Sequence, residues 1–217
     1  MFEMITDQIG HVVSVSGGAD SATVLGLAHM AYREEIREGK NTHLKAFHCN
    51  YGQRTEKKEL ECFNKLCDHY NIDEKDRIII DFGFLKQIGG SSLTSSSLQV
   101  DKTGEFLKRK GIPTSYVPGR NIILLSMCSS IAALNFSSNI WIGVVEEDSS
   151  GYPDCRASFI EFMNAAINNG LPDGIDVSLM TPLIHLKKNQ IITRGIEIGV
   201  PYHMTWSCYE DNDVACG

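Results

Sequence analysis

Short apolar runs alternate with longer amphipathic ones along the chain. Residues 11–15 form a brief β-branched run that predicts a buried strand, and residues 20–38 then carry Ala22, Leu25, Ala28, Ala31 and Ile36 at helical spacing. The same alternation predicts strands over 44–50, 77–81, 140–145 and 179–183, and helices over 56–70, 121–134, 157–168 and 187–198. Strand–helix alternation of this kind implies right-handed βαβ units and a parallel sheet covered on both faces.

Two stretches interrupt the pattern. Residues 83–118 are rich in Ser, Gly and Thr, and are too long for an idle loop in a compact domain, which predicts an active-site cover or a mobile insert. The polar segment 146–156 directly follows a strand. Ligands of open parallel sheets bind beyond the carboxyl ends of strands, so this segment is placed for a ligand role. No internal repeat or linker divides the chain, and residues 1–217 are expected to form a single domain.

The strongest local signal is Ser16-Gly17-Gly18-Ala19-Asp20-Ser21, which follows a strand and opens a helix. Two glycines let the backbone bend sharply and come close to a ligand. The first N–H groups of the helix have no intrahelical partner, so an anion in the bend gains their hydrogen bonds and the positive end of the helix dipole. Ser16 and Ser21 add hydroxyls. Asp20 repels phosphate and is suited either to capping the helix or to holding a divalent cation that bridges phosphates. The competing reading is a plain Gly-Gly turn capped by Asp20. The loop has neither the Gly-Lys-Ser/Thr of a Walker loop nor the Gly-x-Gly-x-x-Gly of dinucleotide folds.

This loop resembles the Ser-Gly-Gly-x-Asp-Ser loop of the PP-loop ATP pyrophosphatases. Five further segments narrow the likeness: Asn50-Tyr51-Gly52-Gln53-Arg54, Val117-Pro118-Gly119-Arg120-Asn121, the nine residues from Asp148 to Arg156, Thr181-Pro182-Leu183 with Leu186 and Lys188, and Trp206-Ser207-Cys208-Tyr209. Together with Ser92-Leu93-Thr94 they match, in order and spacing, the QueC family of 7-cyano-7-deazaguanine synthases, over about residues 11–217. The position after Arg54, commonly His in that family, is Thr55 here.

The resemblance implies an α/β fold with an open parallel sheet and helices on both faces, Rossmann-like and of the adenine nucleotide alpha hydrolase type. It implies an ATP-dependent ligase that converts 7-carboxy-7-deazaguanine and ammonia to 7-cyano-7-deazaguanine, in the biosynthesis of queuosine-type bases. On the same ground Val15, Ser16, Gly17, Gly18, Ala19, Asp20 and Ser21 are expected to hold the pyrophosphate of ATP with Mg2+, and the backbone around His48, Asn50 and Tyr51 to lie against adenine. Arg120 and Lys188 are candidates for neutralising phosphate charge, Arg120 alternatively for gripping the substrate carboxylate. Gln53, Arg54, Asp148, Gly151, Tyr152, Asp154 and Arg156 are expected around the deazaguanine. Asp154, then Asp148, is suited to accept the donor pair of a guanine-like edge, and Tyr152 to stack on the ring. Simple helix capping by Asp154 and packing by Tyr152 are the alternatives.

The family also implies a four-cysteine zinc site beginning near the end of this chain. Cys208 and Cys216 are its candidate ligands here, over residues 203–217, and a Zn2+ site needs four. The tail is therefore expected to be truncated or to have lost its metal. The seven cysteines then divide into two tail ligands and five packed thiols, Cys155 among them, since the implied chemistry needs no enzyme thiol.

Composition narrows the partners. The 217 residues are 42% hydrophobic and 22% charged with net charge −7, which disfavours broad phosphate-backbone binding and agrees with a small-molecule substrate. No apolar run approaches the ~20 residues that span a bilayer, and no secretory signal is legible, so a cytoplasmic enzyme without nucleic-acid or membrane contact is expected. The family adds the expectation of a homodimer. Two other readings stay open at this point: another amidating or thiolating PP-loop enzyme, and a QueC-like protein of a phage or defence system that binds or transfers a deazaguanine.

Overall fold

The structure is a computed structural model that describes residues 8–95, 97–101, 112–146 and 152–209. Among the described residues five strands form one parallel sheet: β1 (Gln8–Ser14), β2 (Asn41–Asn50), β3 (Arg77–Asp81), β4 (Asn139–Trp141) and β5 (Ser178–Met180), in the order β3-β2-β1-β4-β5. Helices α1 (Ala19–Arg37), α2 (Glu56–His69), α3 (Phe84–Ile88), α4 (Arg120–Asn135), α5 (Ala157–Gly170) and α6 (Lys188–Glu197) connect and cover them.

The central strands alternate sides as the pleat requires. In β1, Val12 faces one core and Val13 the other. In β2, Phe47 and Cys49 join the first core while Leu44 and Ala46 join the second. The first core is completed by Leu125, Cys128 and Ile131 of α4 and Ile160 and Ile167 of α5. The second is completed by Leu25 and Ala28 of α1, Phe63 and Leu66 of α2 and Ile191 of α6. Burial on both faces explains why β1 and the end of β2 read as continuous apolar runs.

Two strands are shorter than their apolar runs predict. Pairing of β4 ends at Trp141 because Gly143 passes over the first turn of α1 instead of running beside a strand; a Cβ there would stand 3.1 Å from the carbonyl carbon of Asp20 and from the Ser21 nitrogen. β5 ends at Met180 because Thr181 and Pro182 turn the chain, with the Ile184 N–H donating to the Thr181 carbonyl at 3.1 Å. The 83–118 stretch is not all loop, since it contains α3. Among the described residues no helix is long and apolar enough to cross a membrane.

After β3 the chain returns to the far side of β1 to lay down β4. In an open parallel sheet the crevice at such a reversal, outside the carboxyl ends of the strands, is where ligands bind.

Candidate active site

A cleft of about 530 Å³ opens at that crevice. Its floor is Ile142 to Val145 beyond β4, and one wall is the loop from Ser14 to Ser21. Cys49 and Tyr51 at the end of β2, Arg120, Asn121 and Leu124 of α4, and Tyr152 with Cys155 form the opposite wall. Lys188, Ile192 and residues 206–209 close the rim.

The loop is held by its own serines. The Ser21 hydroxyl donates to the Gly18 carbonyl at 2.9 Å, and its oxygen accepts the Ser16 N–H at 3.2 Å. That leaves the Ser16 hydroxyl as donor in the 3.1 Å contact between the two side chains. Gly17 has φ of +89°, and a Cβ there would stand 2.7 Å from the Glu59 carbonyl, so the bend requires glycine on two counts. Asp20 lies in the first turn of α1, and its Oδ2 accepts a hydrogen bond from Lys188 Nζ at 2.7 Å.

Across the cleft, Arg120 Nη1 donates to the Tyr51 hydroxyl at 3.3 Å, with the guanidinium carbon 5.8 Å from the centre of the Tyr51 ring. Burial works against the Arg120 charge, but the Tyr51 and Tyr209 oxygens outweigh it and hold its pKa above the ordinary arginine value. A fixed cation therefore faces the Ser16–Ser21 loop across the cleft. Burial pushes the Tyr51 phenol up, and burial pushes the Cys49 thiol up to about 11, so both cleft groups are neutral near pH 7.

Of the residues expected from the sequence, Val15, Ser16, Gly18, Ala19, Asp20, Ser21, Tyr51, Arg120, Tyr152, Lys188 and Cys208 line this one cleft. Gly17 forms the bend beneath it. His48 and Asn50 point the other way, as alternation along β2 demands. The His48 ring bonds the Val15 carbonyl at 2.8 Å and Asn50 Oδ1 at 3.1 Å, while Asn50 donates to Asp81 at 2.8 Å. They shape the strand end from behind, and Cys49 and Tyr51 present side chains to the cleft.

Gln53 is buried and accepts the Tyr51 N–H at 2.8 Å while donating to Glu59 at 2.9 Å. Thr55 donates to the other Glu59 oxygen. Arg54 clasps the 91–98 segment through the carbonyls of Ser95, at 2.7 Å, and Leu98. Asp154 is buried, and its Oδ2 accepts the Asn121 N–H at 3.3 Å at the start of α4. Tyr152 shares a 2.5 Å hydrogen bond with Ser115 and meets the Tyr116 ring edge-on. Arg156 is exposed at the start of α5. Asp148, Gly151 and Cys216 lie outside the described residues.

Sequence reasoning missed Glu59, which the Gln53–Thr55 pair aims at the cleft edge, and Gly143, whose close approach to α1 only the three-dimensional crossing creates. It also missed Ser207, whose Oγ accepts the Ala19 N–H at 3.0 Å across 188 residues of sequence. No local pattern announces a contact of that separation.

Among the described residues, no three His, Cys, Asp or Glu side chains gather as metal ligands. Cys208 is buried in the cleft wall, and Cys216, the other expected ligand, lies outside the described residues, so no step of the chemistry is assigned to zinc. Asp20 is different: Mg2+ takes one or two carboxylates plus substrate phosphates, and a single partly exposed carboxylate beside an anion loop fits that habit.

Among curated proteins, the 7-cyano-7-deazaguanine synthase of Nautilia profundicola is 45% identical over 206 residues, covering 95% of this chain and 86% of its own. That of Chlorobaculum parvum is 47% identical over 206 residues, covering 95% and 85%. Among solved structures, the U34-tRNA thiolase NcsA from Methanococcus maripaludis with its [4Fe-4S] cluster superposes with a TM-score of 0.51 at 15% identity, over 98% of this chain and 63% of that one, which is a likeness of fold. The family model described as queuosine biosynthesis protein QueC matches residues 10–217, and this chain belongs to the QueC family.

Proposed function

We propose that the cleft performs two successive ATP-dependent activations that turn 7-carboxy-7-deazaguanine and ammonia into 7-cyano-7-deazaguanine. The observation that carries the reading is the meeting, in one cleft, of the Ser16–Ser21 loop at the start of α1 with Arg120 and Lys188.

The substrate carboxylate oxygen attacks the α-phosphorus of ATP and pyrophosphate leaves. Ammonia then attacks the acyl carbon, AMP departs, a proton is lost, and an amide remains. The amide oxygen attacks the α-phosphorus of a second ATP and pyrophosphate leaves; loss of AMP and of both amide N–H protons then leaves the nitrile. Neither carboxylate nor amide oxygen departs usefully in water, whereas AMP does. The protein's work is therefore positioning and charge neutralisation.

In this reading the loop N–H groups take the pyrophosphate, the hydroxyls of Ser16 and Ser21 turn from their bonds within the loop to its oxygens as it binds, adenine lies against the backbone around His48 to Tyr51, and Arg120 neutralises charge from the opposite wall. Mg2+ accompanying ATP would be held by Asp20 and supply charge neutralisation between phosphates; Lys188, released from Asp20, turns to phosphate. The deazaguanine stacks on Tyr152. Asp154 Oδ1, buried and without a partner among the described residues, is the acceptor for its donor edge. The segment that Arg54 clasps shields the acyl-adenylate from water. Gln53 holds the Tyr51 wall of the pocket through the Tyr51 N–H and Glu59. The enzyme works in the cytoplasm as a homodimer and takes its base free, not within a nucleic acid.

Exchange of radiolabelled pyrophosphate into ATP tests the first activation. The exchange is expected to require the 7-carboxy substrate and to vanish in Asp20→Ala. Exchange that ignores the substrate, or that survives in Asp20→Ala, overturns the assignment.

A further inference from the structure

The first N–H of α1 already has a partner, and it comes from the far end of the chain. Ser207 Oγ accepts the Ala19 N–H at 3.0 Å, and the Trp206 N–H donates to the Gly17 carbonyl at 2.9 Å. A Cβ placed on Gly18 would lie 3.5 Å from both Ser16 Oγ and Ser207 Oγ, so the two hydroxyls flank the same glycine. The segment is fastened on either side. The Tyr202 hydroxyl lies 2.7 Å from Thr23 Oγ1 on α1 and donates to the Ile191 carbonyl at 3.2 Å on α6, and Lys58 Nζ stands 4.3 Å above the Trp206 ring.

A serine hydroxyl carries one proton and two acceptor sites. Ser207 spends an acceptor site on Ala19, which orients the oxygen over the loop and leaves its proton for an anion in the cleft. We propose that Ser207 is a pyrophosphate-binding residue that supplies the side of the anion cradle the Ser16–Ser21 loop lacks. Its O–H donates to a pyrophosphate oxygen while its lone pair stays on Ala19. The inference rests on the nucleotide site proposed above. It makes residues 206–207 part of the phosphate site, and phosphate binding and the seating of the C-terminal segment then stabilise one another.

Calorimetric titration of the full chain with inorganic pyrophosphate and, separately, with AMP tests this. Ser207→Ala is expected to weaken pyrophosphate about tenfold, near 1.4 kcal/mol, and to leave AMP within twofold. Ser207→Thr, which keeps the hydroxyl, is expected to stay near wild type. Steady-state kinetics should show the same split, with KM for ATP raised and kcat nearly kept. Equal or tighter pyrophosphate binding by Ser207→Ala overturns the proposal, as does a parallel loss of AMP binding. If Ser207→Ala does not fold, Ser207→Cys replaces it, with the same expected loss and the same overturning results. Wild type that binds neither ligand overturns the nucleotide site itself, a result distinct from a variant that matches a binding wild type.

Discussion

Lys188 Nζ donates to Asp20 Oδ2 at 2.7 Å, joining the first residue of α6 to the first turn of α1 across 168 residues of sequence. Both side chains are partly exposed, at 51% and 29%, so the pair contributes little to stability, on the order of 0–1 kcal/mol. Its consequence is placement: a cation and a carboxylate stand side by side at the mouth of the Ser16–Ser21 loop. Lys188→Met is expected to lower kcat/KM for ATP about a hundredfold, near 2.7 kcal/mol of transition-state stabilisation. The melting temperature should move by no more than about 3 °C. Steady-state kinetics beside a thermal melt checks this, and a large melting shift with unchanged kinetics would make the pair structural.

Gly143 carries the second prediction. A methyl group there must push the Asp20–Ser21 peptide back by a few tenths of an ångström from a 3.1 Å contact with backbone atoms. Gly143→Ala should cost about 1–3 kcal/mol of stability through overpacking. It should also displace the loop, so that KM for ATP rises more than the KM for ammonia. Equal changes in both constants would separate Gly143 from the loop.

Gln53 supplies the third. Its amide bridges the buried Tyr51 N–H and Glu59. Gln53→Ala leaves that N–H unpaired, a cost of about 1–3 kcal/mol. For a chain of this size that lowers the melting temperature by roughly 2–4 °C per kcal/mol. Gln53→Glu should be milder toward Tyr51 yet set two carboxylates against each other, so its penalty should ease as pH falls. Urea midpoints of both variants at pH 5 and 8 test the order.

The sheet and its helices were legible because the period of the apolar positions changes from strand to helix at each boundary, and burial on both faces keeps the strands apolar. The strand ends at Gly143 and Pro182 were not, because each reflects a crossing or a turn and not a change of polarity. The loop was legible since its glycines and serines act within six residues. Asp154 illustrates the opposite case. Its sequence neighbours suggest a ligand pocket, and nothing local shows that its Oδ2 also meets the start of α4 through the Asn121 N–H, 33 residues earlier. Ser207 stands within the Trp206–Tyr209 motif, but nothing local says which N–H it meets.

Buried thiols set the behaviour in alkali. Burial pushes Cys49 up to about 11 and Cys67 up to about 12, from an ordinary 9.0. Above pH 9 the unfolded chain releases these protons first, so the native state binds more protons and its stability falls as pH rises through the window from about 9 to 12. The urea midpoint should drop between pH 8 and 10.5, and the drop should be shallower in Cys67→Ala than in wild type. Parallel curves would show that the thiols do not govern it.

Purified protein incubated with ATP, Mg2+, ammonium and 7-carboxy-7-deazaguanine is expected to yield 7-cyano-7-deazaguanine by mass spectrometry, with two AMP and two pyrophosphate per nitrile and the amide as a transient species. Recovery of unchanged carboxylate, or of amide that never becomes nitrile, from a protein shown to bind ATP would contradict the account.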